Sequence, residues 1–321
     1  MHKHLQRLSL LWMLALSAAG SHAGGFPDHP IRLLVGYGPG GGTDLIARLV
    51  ATHVSQELGQ PVVVENKPGA GGNIATDQVA RSARDGYTLL LAANTVTINP
   101  HLYRNLATDI QRDVRGVGII ATSPIVLVAG PGSPFSTLDE LLAYAKANPG
   151  KVSYGSPGVG TPQHLAVELL AHMSGLRMTH VPYKGSSQSL SDLLAGHIPL
   201  VSAAINSAQP YIESGKLRGL AVADAGRLDR LKAVPAIAER VKGYEVRIWY
   251  GLMAPANTPD AVVARLNQAL AAAAKHPEMQ ARMQELGYEL ALGTPSAMDA
   301  EVAADVRKWG GVVKAAGLQA E

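Results

Sequence analysis

Three glycine-rich stretches constrain the fold of this chain more than any other feature. Residues 38–44, 68–73 and 155–161 each follow a run of β-type residues, at 31–35, 62–64 and 152–154. Each also precedes a helical pattern, opened by Thr43, Asn73 and Thr161-Pro162. A loop in that place puts pliable backbone at a helix N-terminus, where unpaired N–H groups and the positive end of the helix dipole point outward. Such a terminus attracts anions. Glycine there allows close approach and positive φ. One loop of this kind is equally well a tight turn between strand and helix. Three of them describe a cleft that holds a small carboxylate by N–H groups and hydroxyls, without needing Arg or Lys.

The surrounding pattern places the loops in an α/β fold. Strands at 31–35, 62–64 and 87–91 alternate with helices opening at Thr43 and spanning 74–83, which predicts parallel strands with right-handed crossovers. A second unit starts with a β-rich run at 119–129, interrupted by Ser123-Pro124. The capping box Thr137-Leu138-Asp139-Glu140 opens a helix that stops before Asn148-Pro149-Gly150. A strand at 152–154, a helix from Thr161, a strand at 179–181, a helix at 189–195 and a strand at 217–222 follow. After a strand at 249–254 the pattern is helical, at about 259–275, 277–286 and 295–316, with Thr258-Pro259 and Thr294-Pro295 as cap-plus-Pro starts. This tail is expected to pack back on the first unit. The first domain is then discontinuous, with chain crossings near 122–126 and 245–252.

Residues 1–23 stand apart. Lys3 and Arg7 precede a short apolar stretch, and Ser21-His22-Ala23 puts small residues at −3 and −1 of a cleavage site before Gly24. That is a secretory signal peptide, and the stretch is well short of the ~20 residues that span a bilayer. Its removal leaves 26 basic against 25 acidic residues, so the net charge of +3 falls to +1 and no nucleic-acid partner is implied. A hydrophobic content of 47 % with 17 % charge excludes a disordered chain. Zero Cys excludes disulfides, a thiol nucleophile, Cys-based metal sites and a lipid-anchored N-terminal Cys.

Other chemistry fits poorly. Gly38-x-Gly40-x-x reaches Thr43 instead of a third glycine and holds Pro39 inside the turn, so the dinucleotide fingerprint fails although Glu65 stands where a ribose-binding acid would. Gly155-Ser156-Pro157-Gly158 is not a nucleophile elbow. His164, His172, His180 and His197 lack close metal-ligand spacing. His164, one turn into its helix, either faces a ligand or is packed. Asp44 either reaches a ligand through water or pairs with Arg48 at i, i+4. Tyr37, Tyr154 and Tyr183 border the loops, as cleft wall or as packing.

With these residues assembled, the chain resembles the Bug family of periplasmic solute-binding proteins of tripartite tricarboxylate transporters. The resemblance runs through Gly40-Gly41-Gly42-Thr43-Asp44 with Ala47-Arg48, Pro68-Gly69-Ala70-Gly71-Gly72-Asn73, Asp85-Gly86-Tyr87, Asn99-Pro100, Asn148-Pro149-Gly150 and His180-Val181-Pro182-Tyr183-Lys184-Gly185. It implies a type II periplasmic-binding-protein fold, with two α/β lobes joined by two crossing strands around a ligand cleft. The expected lobes are 24–124 with 248–321, and 125–247. It implies ligand contacts at Tyr37, Gly41, Gly42, Thr43, Asp44, Ala70, Gly71 and Asn73 in the first lobe. In the second it implies Ser156, Gly158, Thr161, His164 and Asp192.

The function it implies is capture of a small organic carboxylate in the periplasm. The partners are then the permease subunits of a tripartite tricarboxylate transporter, or a membrane receptor for a sensor. A monomer without catalysis, cofactor or metal is expected. Two positions depart from the family pattern, which commonly has Pro-Phe where Gly36-Tyr37 stand and Thr-Ser where Ala223-Asp224 stand. An Asp224 directed into the cleft would oppose a second ligand carboxylate.

Overall fold

A computed structural model describes residues 25–318. The expected signal peptide lies outside the described residues. Strand β1 (Ile31–Val35) is flanked in parallel by β2 (Val62–Asn66) and β3 (Thr88–Ala93). Their crossovers are α1 (Gly42–Leu58) and α2 (Asn73–Ala80), the latter ending three residues earlier than expected. The sheet continues antiparallel: β9 (Arg247–Pro255) pairs with β3, β4 (Val114–Ala129) with β9, and the two-residue β10 (Glu289–Leu290) with β4. The sheet is therefore mixed, with its parallel part confined to the first three strands.

Strand β4 does not break at Ser123-Pro124. It runs 16 residues, roughly 50 Å at strand rise, with all but two positions buried. Up to Pro124 it pairs with β9, and from Ile125 it pairs with β7 (Leu200–Ala204) and β8 (Arg218–Val222). Proline lacks an N–H, and here it sits at the step where the ladder changes partners. The second sheet is completed by β5 (Ser153–Ser156) and β6 (Thr179–Pro182), parallel to each other, with β5 also parallel to β7. The return crossing is close by, where Val246 N–H donates to the Ala223 carbonyl at 2.8 Å and β9 begins one residue later.

Helices α3 (Thr95–Leu102), α4 (Leu138–Ala147), α5 (Pro162–Ser174), α6 (Ser186–Leu194) and α7 (Ile205–Glu213) cover the sheets, followed by α8 (Asp260–Ala273), α9 (Pro277–Glu285) and α10 (Pro295–Ala316). Of the C-terminal helices, α8 packs on α1 and β4, and α10 on α3 and β4. Helix α10 also reaches α5 of the second sheet. Buried Asp305 on α10 accepts the Trp249 indole N–H at 2.9 Å, which fixes the helix to β9.

The caps follow the sequence with two changes. Thr137, Thr161 and Thr294 each accept a backbone N–H with the side-chain oxygen. Glu140 closes its box one residue early, on the Ser136 N–H at 2.6 Å. Thr258 does not cap α8: its hydroxyl donates to the Pro255 carbonyl at 2.8 Å, and Pro259 precedes the helix.

Candidate functional site

The first two glycine loops meet backbone to backbone. A Cβ on Gly36 would lie 2.6 Å from the Gly72 Cα, so only glycine fits there. The Tyr37 hydroxyl, just beyond, is 2.6 Å from Thr95 Oγ1 and 3.4 Å from the Gly71 carbonyl. The Asn66 side-chain N–H group donates to the Tyr37 carbonyl at 3.0 Å and to Asp44 Oδ1 at 2.9 Å.

The other Asp44 oxygen accepts from Gly40 N–H at 2.9 Å and from Arg48 Nε at 3.0 Å. Asp44 is buried, and the Arg48 hydrogen bond, with those from Gly40 and Asn66, holds its carboxyl down at about 2. Of the two roles open to Asp44, the pairing with Arg48 is present, and the carboxylate also ties the loop to its own helix.

Gly41 stands at the N-cap of α1 and offers no side-chain acceptor. The N–H groups of Gly42, Thr43 and Asp44 occupy the first helical positions, which have no intrahelical partner. Residues 38–42 are exposed.

In the second loop Gly69, Ala70, Gly71 and Gly72 all have positive φ, from 47° at Ala70 to 134° at Gly69. A left-handed alanine is strained by on the order of 1 kcal/mol or more, and such strain gathers at ligand sites. Gly72 caps α2 without a side-chain acceptor. The Asn99 amide donates to the Gly71 carbonyl at 3.0 Å and to Asn73 Oδ1 at 2.7 Å. The Asn73 side-chain N–H group is buried without a protein partner. Two tyrosines complete the wall. Tyr288 stands so close to Gly42 that a Cβ there would meet its hydroxyl at 2.5 Å, and its ring packs edge-on against Tyr250 at 5.4 Å.

The third loop is built differently. Thr161 caps α5 with its own hydroxyl, accepting from His164 N–H at 3.3 Å and donating to the Gly158 carbonyl at 2.8 Å. Ser156 is fully buried, and its hydroxyl lies 2.7 Å from His180 Nε2 while accepting from Gly158 N–H at 3.2 Å. His164 is fully buried and its Nδ1 accepts from Gly160 N–H at 3.1 Å. The packed role is the one His164 fills.

Tyr154, beside it, is packed with its hydroxyl donating to Glu168. Asp192 accepts from the Tyr183 hydroxyl at 2.8 Å, and the Tyr183 ring packs on Gly155. Gly160 touches the first lobe, where a Cβ would meet Leu102 at 2.3 Å.

The structure thus joins Tyr37, Gly71 and Asn73 through Asn99 and Thr95, and joins Ser156, Gly158, Thr161 and His164 through His180. Thr95, Asn99, Tyr250, Tyr288 and His180 were not among the residues expected to act in the site. Asp224 is buried at the crossing of the lobes, 3.4 Å from Arg247 Nε. Desolvation pushes its carboxyl up to about 6. A cavity of about 500 Å³ behind the second loop shares Ala70 and Asn73 with the site, and its floor is formed by Val96, Pro100, Leu106 and Ile110.

Comparison with known proteins follows the same lines. Residues 46–318 match the model of the tripartite tricarboxylate transporter family receptor. A UPF0065 protein of Bordetella pertussis is 41 % identical over 89 % of this chain and 88 % of its own length. The Rhodopseudomonas palustris protein Rpa4515, solved with adipate, is 35 % identical with a TM-score of 0.78, covering 92 % of this chain and 99 % of its own. MatC of Rhodopseudomonas palustris, solved with bound malate, is 29 % identical with a TM-score of 0.74, covering 90 % of this chain and 100 % of its own.

Proposed function

The chain belongs to the tripartite tricarboxylate transporter receptor family, and from that premise we propose that it captures a small organic acid and hands it to membrane permease subunits. Members of this family are periplasmic binding proteins, and among the described residues no helix is long and apolar enough to cross a membrane. The reading places the mature protein in the periplasm as a monomer that binds without performing chemistry. Its lobes are 24–124 with 248–321, and 125–247, closing on each other about the two crossings.

One observation carries the proposal. Two uncapped helix N-termini, α1 at Gly41 and α2 at Gly72, converge where Gly36 lets their loops touch. Open N–H groups and two helix dipoles there favour a carboxylate. Tyr37, Gly41, Gly42, Thr43, Ala70, Gly71 and Asn73 form this half, with Asp44 as its internal brace. The adipate and malate of the two relatives are dicarboxylates, and a second acid group reaches the other lobe at residues 158–161, with Asp192 further out.

The test is calorimetry and thermal shift against a panel of small carboxylates at neutral pH. A ligand at 100 times its Kd adds about 2.7 kcal/mol of apparent stability. Adipate, malate or a related acid is expected to raise Tm. A response to sugars or nucleotides and to no acid overturns the reading.

A further inference from the structure

The third loop stands on two stacked imidazoles. The rings of His164 and His180 lie 3.8 Å apart at 15°. They grip the loop at two points. His164 Nδ1 accepts the Gly160 N–H at 3.1 Å, and His180 Nε2 lies 2.7 Å from the Ser156 hydroxyl that in turn holds Gly158 N–H. Val159 projects between those points, half exposed.

Because Nδ1 of His164 accepts, the neutral ring carries its proton on Nε2. That Nε2 is buried without a partner, and the nearest acid oxygen, Glu168 Oε1 at 3.9 Å, already receives the Tyr154 hydroxyl at 2.5 Å. The titratable groups facing the pair are Tyr154 from β5, with ring centroids 5.0 Å from His180 and 6.2 Å from His164, and Glu168 from α5.

We propose that His164 and His180 are positioning residues of the ligand site, holding residues 158–161 in binding shape only while both rings are uncharged, so that ligand capture is linked to protons. The inference rests on the reading of this loop as one wall of the site. A proton on His164 Nδ1 would replace an acceptor by a second N–H aimed at the Gly160 N–H. The hydrogen bond is then lost and two donors face each other. A charge on either ring would also sit 3.8 Å from the other in a site with little water. Burial, with the neighbouring His180, pushes His164 down to about 3, and burial pushes His180 down to about 4. The grip is accordingly complete at neutral pH and released as pH falls through about 4.

Two measurements decide it, with adipate and malate as probes. His164→Asn keeps an acceptor near Nδ1 but takes no proton, and His180→Gln keeps a polar group that takes no proton beside the Ser156 hydroxyl. The double variant, folded by circular dichroism, is compared with wild type by its pH profile and not by its affinity at pH 7. Between pH 7 and 3.5 it should lose several-fold less affinity than wild type, since titration of the acid itself is common to both. His164→Leu, folded by circular dichroism, should bind at least tenfold more weakly at pH 7. Identical pH profiles, or full affinity in His164→Leu, overturn the proposal. The second measurement needs no ligand. In ¹⁵N NMR the His164 Nδ1 should appear as an unprotonated acceptor, and the Gly160 amide should move with the midpoint of the two rings. A Gly160 amide indifferent to that titration overturns the proposal even if neither acid binds. Failure of both acids alone would count against the proposed function instead.

Discussion

Two kinds of helix start follow the glycine-rich loops of this molecule. On the first lobe, α1 and α2 begin at Gly41 and Gly72, whose lack of side chains leaves the first N–H groups open. On the second, α5 begins at Thr161, whose hydroxyl fills the place of a ligand oxygen, and Ser156 and His164 absorb two further N–H groups of the loop. The loops share a glycine-rich composition, yet the first two helix starts have no side-chain cap, whereas three N–H groups of the third loop and its helix start are already taken by side chains. Glycine content marks where a backbone can come close. The presence or absence of a capping oxygen decides whether it is left unpaired.

The strongest challenge to this contrast is steric. Gly36→Val should push the first two loops apart, destabilise the protein by about 1–3 kcal/mol, and abolish acid binding in calorimetry. Binding that survives would show that the touching loops are not the anion site. Next, Gly41→Asp supplies the first lobe with the kind of acceptor the second already has. Gly41 has φ −77° and ψ 165°, and a Cβ there would meet the Gly38 carbonyl at 3.7 Å, an ordinary contact, so the change is tolerated by the backbone. It should cut carboxylate affinity ten- to hundredfold, about 1.4–2.8 kcal/mol, while raising Tm slightly.

Asp44→Asn probes the brace. The Asp44 carboxyl is depressed to about 2 in the fold, so its contribution is present above about pH 4 and lost as pH falls toward 2. Denaturation titrations should show that loss, on the order of 1–2 kcal/mol, in wild type and not in the variant. The smallest effect is expected from Thr161→Ala, about 1 kcal/mol of stability from the missing cap. If Thr161→Ala abolishes binding as Gly36→Val does, the two walls are not different in kind.

Much of this was readable from local chemistry. Thr161-Pro162 and Thr294-Pro295 announced their helices, and the loops at 38–44 and 68–73 announced the open termini. What local chemistry hides has two sources, interrupted element signals and partners far along the chain. Helix α3 is hidden by Pro100, which removes a donor inside it, and α7 by Pro210. Strand β7 carries small residues, Leu-Val-Ser-Ala-Ala, with little β signal. Ser123-Pro124 looks like a break until β4 is seen to exchange β9 for β7 and β8 at that step. In the site, Asn99 and Tyr288 meet Gly71 and Gly42 only because the sheet order brings them there. No periodicity reports such a meeting. Asp224, conspicuous in sequence, belongs to the crossing of the lobes.

The position of β9 also sets an order of assembly. It lies between β3 and β4, although more than a hundred residues separate it from either in the chain. As the chain emerges from its N-terminus, β1, β2 and β3 can pair, but β3 keeps a bare edge until Pro255 is free. Strands β5 to β8 and the distal half of β4 form an uninterrupted stretch of sequence and can settle first. Long-range insertion of this kind is slow and leaves an exposed edge while it waits. The half of the molecule that begins the chain is therefore the last to close.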